Sequence, residues 1–399
     1  MPAPTLIEVC QQATRINPNL AHPASDLVNG LFIHEVQTMS RPLLFLRPAA
    51  QGFAVTLLVA LAGCGLSSSR DVAKIDRGIT DMRRPNPNKF ILNEEDDVAG
   101  FLGILLDKGK LKTEGVIELK QTGLIDQVID ILGLSGEGRV HRTPADVKPL
   151  SKDEDGPPCQ EAWNYASVVG MMMYLASNSR PDIAYAVHQC ARFTHFPKRS
   201  HEVALKRIGR YLKHTRERGM VVRPSKDLQL DLFADADFAG LWSAEKPTDP
   251  TCVRSRSGYV ITLGGTPVQW ASKLQTEIAL STMEAEYISL SYAMRTLLPT
   301  RLIIHEMADS LNIQREELSR VAKVHEDNQA ALKLAKGDLH KMTPRTKHIA
   351  IKYHWFRSHL KPGEIEIGWI DTKQQKADGF TKGLKPAAFD LWRMLVCGW

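Results

Sequence analysis

The chain lacks the cysteine spacings on which small disulfide or zinc domains are built. Its six cysteines (Cys10, Cys64, Cys159, Cys190, Cys252 and Cys397) are scattered through 399 residues, with no Cys-x-x-Cys pair and no Cys/His spacing suited to zinc. Reduced thiols in an intracellular protein, cytoplasmic or nuclear, are expected. Long apolar runs are also lacking. The stretch 53-FAVTLLVALAGCGL-66 is too short to span a bilayer comfortably. Its Leu-Ala-Gly-Cys ending resembles a lipoprotein cleavage site but follows about fifty residues, so it reads as a chance apolar run, and neither a targeting signal nor a membrane partner is expected. With 43% apolar and 24% charged residues, the composition excludes a wholly disordered chain and a membrane protein. The length suits about two to three domains.

What is present is positive charge in clusters. The net charge is +6, but from Lys198 to Arg223 nine Lys/Arg face two acids, Glu202 and Glu217. From Leu339 to Lys361 there are six Lys/Arg, four His and no acid. Clusters of this kind hold polyanions; a single basic helix is equally a solvated face.

Residues 1–90 carry Pro-rich patches (41-RPLLFLRP-48, 84-RPNPNKF-90) and no usable motif. Beyond them, 100-GFLGILLD-107 and 115-GVIELKQ-121 read as a hairpin, 122–134 as a short helix, and 135–160 as a polar linker. Residues 161–217 read as helices broken at Pro181. From Leu228 the period switches to two, with strands at 228–235, 257–263 and 267–272. A long helix from about Thr282 to Leu311 follows, then a strand at 321–327, helices at 328–336 and 346–360, a strand at 364–370 and two short closing helices at 374–381 and 386–396. The fold class is α/β (α+β): a mixed sheet with flanking helices, preceded by a smaller hairpin-plus-helices region.

In 231-DLFADADFAG-240, Asp235 and Asp237 end an apolar alternating run. Two carboxylates so close repel one another unless a cation, solvent or a metal intervenes. Asp327 ends the fourth strand, and strand ends pointing the same way share a crevice. The long helix starts 281-STMEAEY-287, where Ser281 and Glu284 have capping-box spacing, so Glu284 should return to the backbone of Ser281. Glu286 lies about 200° further round the helix and is the better ligand. Asp378, in 374-QQKADGFTK-382, opens a terminal helix. Any one of these acids is more often a turn or capping residue. Taken in order, strand, helix, strand, helix, Asp235, Glu286, Asp327 and Asp378 suit hard divalent cations, Mg²⁺ in particular with Mn²⁺ as a substitute. Asp237 is expected beside the site or facing solvent.

These stretches, with FLGI (101–104), ELKQTGLID (118–126), YASVVGMMMYLASNSRPDIAYAV (165–187), HEVALKRIGRYLKHT (201–215), RSRSGYVITLGGTPVQWASK (254–273), EDNQAALKLA (326–335) and RTKHIAIKYHWFR (345–357), resemble the C-terminal part of a copia-type LTR retrotransposon polyprotein. The resemblance covers the chain from about Asp96 onward. It implies a reverse-transcriptase thumb and connection remnant over 91–224 and an RNase H-like domain over 225–399. It also implies two-Mg²⁺ hydrolysis of the RNA strand of RNA–DNA hybrids, with Asp235, Glu286, Asp327 and Asp378 as catalytic and metal-binding residues. No small-molecule cofactor is expected. On the basic segments, Arg207, Arg210 and Lys213, and Arg345, Lys347 and Lys352, are expected at phosphates, with His348 at the hybrid or in packing. In 353-YHWFRSH-359, Tyr353, Trp355 or Phe356 should be buried against the sheet, and Trp270 should be core.

The chain also departs from the pattern. It has no Tyr-x-Asp-Asp polymerase motif, no integrase His/Cys motif and no protease Asp-Ser/Thr-Gly, so DNA synthesis is not expected of it. The loop 369-WIDTKQQKAD-378 lacks the histidine many cellular RNases H carry there, as is usual in copia-type chains. The family favours Glu and Trp where Thr296 and Pro299 stand, and a proline inside a helix costs roughly 3 kcal/mol. The competing expectation is therefore a catalytically inactive relic that only binds nucleic acid.

Overall fold

Two short apolar alternations and a returning strand build the first sheet. The structure is a computed structural model and describes residues 100–399 apart from 102, 111–113, 161, 224, 226, 243, 247, 311–320, 338–348 and 350. Strand β1 (Gly100–Phe101) folds back on β2 (Ile104–Asp107), and β2 pairs antiparallel with β3 (Ile117–Lys120) as the expected hairpin, Leu106 opposite Leu119. Helix α1 (Thr122–Ile131) follows at once and buries Ile125, Val128 and Ile129. Helices α2 (Tyr165–Asn178), α3 (Ala184–Ala191) and α4 (Arg199–His214) come next, with Pro181 opening a 3₁₀ turn between α2 and α3. Asn164 caps α2 by accepting from the Ser167 N–H at 2.8 Å. Strand β4 (Met220–Val222) then completes the order β1-β2-β3-β4. Three residues are too few to carry a period, so β4 had no sequence signal.

The second sheet is the mixed one expected. Strands β5 (Leu230–Asp237), β6 (Arg256–Leu263) and β7 (Thr266–Leu274) form an antiparallel meander. Helix α5 (Thr282–Ser310) leads to β8 (Ala322–Glu326), which pairs parallel with β5. Helix α6 (Gln329–Lys336) leads to β9 (Ile365–Trp369), parallel to β8. The order is β7-β6-β5-β8-β9. Helices α7 (Asp378–Thr381) and α8 (Pro386–Cys397) close the chain.

This sheet is covered on both faces, which is why β6 is buried along its whole length. Leu230, Leu232, Ala234 and Ala236 join a core with α5 residues Tyr287, Leu290 and Leu297, which also takes in Leu119 and Met220 of the first sheet. Phe233 and Val260 join a second core with α1–α4 residues such as Ile125, Met172 and Leu205, and with Phe380, Phe389, Trp392 and Val396. The segment before β5 and the segment after it therefore bury one another.

Two local expectations met tertiary structure differently. The part of 346–360 that is described forms 3₁₀ turns, Ile351–Tyr353 and Trp355–His359, instead of one α-helix. Tyr353 ends the first turn and Phe356 lies in the second, and both are buried while Trp355 is half-buried. Trp270 is half-buried too, its Nε1 donating to the Ala176 carbonyl at 2.7 Å. Helix α5 runs through Pro299 without ending. Leu297 and Ile304 are buried on either side, and Thr300 Oγ1 donates to Gln269 Oε1 at 3.0 Å, so packing outweighs the lost backbone bond.

Pro299→Ala is expected to raise stability by about 1–3 kcal/mol, read from the midpoint of chemical denaturation; an unchanged midpoint would mean the helix already accommodates the ring without cost. Residues 225–399 expressed alone should bind a hydrophobic dye and unfold without a sharp transition, because Phe389, Trp392 and Val396 lose their α1–α4 partners. A cooperative, dye-silent fragment would show that the second core is dispensable.

Candidate metal centre

Strands β5 and β8 run parallel with Phe233 opposite His325, so continuing each by two residues brings Asp235 and Asp327 to the same end of the sheet. Helix α5 reaches that end because Ser289 Oγ donates to the Asp235 carbonyl at 2.7 Å. Glu286 lies three residues before Ser289, on the same helix face. One carboxylate oxygen each from Asp235, Glu286 and Asp327 lie within 4.8 Å of one another. Glu284 points its job elsewhere. Its Oε2 accepts from the Leu280 N–H at 2.8 Å, one residue before the expected Ser281, while its own N–H donates to Ser281 Oγ at 3.2 Å.

Asp378 stands beside this group but outside it. Its Oδ1 pairs with Lys382 Nζ at 2.5 Å. The α7 turn that carries it lies directly on β6 at Gly258, the residue opposite Asp235. A Cβ on Gly258 would meet Thr381 Cγ2 at 2.7 Å and Phe380 Cβ at 2.8 Å, so only glycine lets the turn dock. Docking brings Thr381 Oγ1 to Asp235 Oδ2 at 2.5 Å, and Gln375 Nε2 to the Ala234 carbonyl at 2.9 Å. Thr372 Oγ1 orients Asp327 through Oδ2 at 2.8 Å. Asp237 is half-buried and is not one of the three converging acids.

A fifth acid, Glu326, had gone unremarked in the sequence. It is fully buried, with Oε1 accepting from the Asn328 N–H at 3.0 Å. Its only signal was the pair Glu326–Asp327, where one side chain of the two must turn into the sheet. Gly258, Thr381 and Lys382 were likewise invisible as site residues, because their roles depend on a contact between distant segments.

The electrostatics follow from burial. Asp235 is pushed up to about 7, first by burial and then by Asp378 and Asp327, against the pull of Lys382 and Thr381. Burial, then Asp235, Glu326 and Asp327, raise Glu286; burial and the charges of Asp327 and Asp235 raise Glu326. Burial also raises Asp237. Glu286 Oε2 and Glu326 Oε2 are buried with no hydrogen-bond partner among the described residues. Buried carboxylate oxygens without donors, converging beside other carboxylates, fit a hard divalent cation and nothing softer.

Of the basic residues, Arg207 is held within the chain, donating to the Thr143 carbonyl at 3.1 Å, Thr143 Oγ1 at 2.8 Å and Asp146 Oδ2 at 2.8 Å. Lys213 Nζ donates to the carbonyls of Leu134, Ser135 and Gly136. Arg210 is half-buried beside Lys213, and Lys352 is exposed and ion-paired with Glu277. Arg345, Lys347 and His348 lie outside the described residues.

Because the folded-state pKa of Asp235 lies above the unfolded value of 3.8, its proton stabilises the fold fully below that value, and the stabilisation is lost as pH rises through about 7. In divalent-free buffer, Asp235→Asn should therefore match the parent near pH 4 and exceed its stability above pH 7, by up to about 4 kcal/mol. Denaturation at the two pH values checks this; a constant offset between the proteins would exclude Asp235 as the titrating group.

No protein-family model matches the chain. It is 31% identical over 303 residues, 75% of its length, to the Retrovirus-related Pol polyprotein from transposon RE2 of Arabidopsis thaliana. It is 31% identical over 290 residues, 71% of its length, to that from transposon TNT 1-94 of Nicotiana tabacum. The chain spans only about a fifth of these relatives, 19% and 20% of their lengths. Over 129 residues it is 41% identical to the Secreted RxLR effector protein 161 of Plasmopara viticola, covering 32% of this chain and 85% of that one. Among solved structures, the N-terminal RNase H domain of a Mycobacterium tuberculosis protein, fused to maltose binding protein, aligns over 42% of this chain and 97% of that one. Identity is 14% and the TM-score 0.24, so the fold class rests on the strand order above and not on that likeness. Identity spread over three quarters of its length places the chain in the copia-type retrovirus-related Pol polyproteins of transposons, and it belongs to that family.

Proposed function

We propose that the part of the chain from residue 225 onward hydrolyses the RNA strand of RNA–DNA hybrids, and that residues 91–224 are the thumb and connection remnant that supports it. The observation that carries this reading is the approach of Asp235, Glu286 and Asp327 oxygens to within 4.8 Å, from three distant segments, with Glu286 Oε2 left without a donor. In this reading Asp235, Glu286, Asp327 and Asp378 hold two Mg²⁺ ions, with Mn²⁺ able to replace them. When bound, such ions lower the pKa of a water and stabilise the leaving oxygen of a phosphodiester. The chain's own residues set the stage. Thr381 fixes the rotamer of Asp235, Thr372 fixes Asp327, and Lys382 holds Asp378 at the rim and offsets the charge of its neighbours until cations arrive. Phosphate contacts supply affinity without sequence preference, while the 2′-hydroxyl and the shape of the hybrid distinguish RNA from DNA.

The alternative, a relic that binds nucleic acid without turnover, draws on the ion pair of Asp378 with Lys382 outside the three-acid group. The two readings part on one assay. With the full chain and Mg²⁺, the RNA strand of a hybrid should be cut, Asp235→Asn should abolish the cutting, and Thr381→Val should reduce it about 10–100-fold as the support of a ligand is lost. Folded parent protein that leaves the hybrid intact in both Mg²⁺ and Mn²⁺ would end the nuclease reading.

A further inference from the structure

The loop after α1 is fastened to α4 by the side chain of Lys213. Its Nζ donates to the carbonyls of Leu134 at 2.7 Å, Ser135 at 3.0 Å and Gly136 at 2.6 Å. Gly209 lets loop and helix close, since a Cβ there would stand 2.6 Å from Leu132 Cδ1 and 2.7 Å from Leu134 Cδ1. Between them lies a cavity of about 390 Å³, lined on the loop side by residues that include Glu137 and Arg139 and on the helix side by Arg210, Lys213 and His214.

The charge of this cavity is one-sided. Glu137 is its single carboxylate. Lys213 is satisfied by neutral carbonyls, which leave its positive charge uncompensated. Among the described residues neither Arg139 nor Arg210 has a carboxylate partner, whereas the neighbouring Arg207 is paired with Asp146 at 2.8 Å and Arg216 with Asp126 at 2.5 Å. His141 feels the same field: burial and then Arg207, Arg139 and Arg210 hold it below the usual histidine range. Cations converging on one hollow repel each other, and an anion of matching size relieves that repulsion.

We infer that this cavity is a phosphate site that takes the sugar–phosphate backbone of the bound nucleic acid, with Arg139 and Arg210 as donors. The inference rests on the reading that the chain grips nucleic acid, and it changes where the grip falls. Lys213 builds the cavity through its bonds to the loop, while Arg207 is held outside it by Thr143 and Asp146. The contacts pass to Arg210 and to Arg139, a residue no motif singled out. Guanidinium groups suit the task because their planar forks match two phosphate oxygens at once.

The test uses the full chain carrying Asp235→Asn, so that bound hybrid is not turned over, titrated with a fluorescent RNA–DNA hybrid across a series of salt concentrations. Adding Arg139→Ala and Arg210→Ala should weaken binding roughly tenfold or more at low salt and flatten the log–log salt slope by about 2. Inorganic tripolyphosphate should compete for the parent site. Arg142→Ala serves as control: it removes one positive charge nearby, from an exposed pair with Asp390, and affinity and slope should stay as they were. A double variant that keeps the parent's affinity and slope overturns the phosphate site. So does a parent that binds tripolyphosphate at these arginines but no hybrid. Cleavage assays on chains with Asp235 intact separate this outcome from the nuclease reading. Retained cleavage with an unchanged salt slope sinks the phosphate site alone; arginine-dependent hybrid binding without any cleavage sinks the nuclease alone.

Discussion

Carboxylates drawn together at one end of a sheet, out of water, repel one another and lose their hydration, and both effects favour the protonated form. Asp235, Glu286 and Glu326 are all raised for these reasons, and burial is the leading cause in each. A fold that places such groups against each other, with Glu286 Oε2 and Glu326 Oε2 lacking donors, favours their protonation when no cation is bound. Lys382 alone cannot neutralise them, since one ammonium faces Asp235, Asp237 and Asp378 together. The rest of the architecture serves this arrangement. The parallel pairing of β5 and β8 sets two acids side by side, Ser289 brings the first turns of α5 to them, and a glycine in β6 admits the turn that bears Asp378 and Thr381.

The two cores explain why this end of the sheet is rigid. The face toward α5 is closed partly by Leu119 and Met220 of the small sheet, and the other face by α1–α4. The segment preceding β5 is therefore part of the packing that fixes the acids. A fully buried ion pair, Arg180 with Asp182 at 2.7 Å, lies in this same region. Tyr211 of α4 donates to Asp182 Oδ2 at 2.6 Å, and the Arg180 guanidinium sits 5.5 Å from the Trp399 ring. Removing one partner of such a pair leaves a buried charge, so the pair makes the union of the two segments selective as well as apolar.

Much of this was legible because it is local. The period of two located β5, β6 and β7. Ser281 and Glu284 marked the start of α5, and helix geometry then separated Glu284 from Glu286 by about 200°. What was not legible depends on contacts between segments far apart in the chain. Glu326 and Asp327 are adjacent in sequence, and only the sheet decides that the first is swallowed by the core. Gly258 looks like any strand glycine until α7 lies on it. The basic face of α4 reads as a stripe available to phosphate, yet Arg207 and Lys213 are drawn into the loop that follows α1. The segment 346–360 has helical spacing, but its described part breaks into two 3₁₀ turns on either side of His354.

Rings in contact connect the basic helix to the acids. Tyr211 of α4 meets Phe389 of α8 edge-on at 5.8 Å, Phe389 meets Trp392 at 5.7 Å, and Trp392 meets Phe380 of α7 at 5.2 Å. Trp392 Nε1 also donates to the Lys376 carbonyl at 2.8 Å, in the loop that leads into α7. The next residue after Phe380 is Thr381, whose hydroxyl holds Asp235. Aromatic packing of this kind has few alternative arrangements, because each ring fills the space its neighbour leaves. The helix that lines the cationic cavity and the turn that orients the central acid are therefore set relative to one another by edge-on and tilted ring contacts. On the proposed function, a polyanion gripped at one meets the other at a fixed offset, as cutting without sequence preference requires.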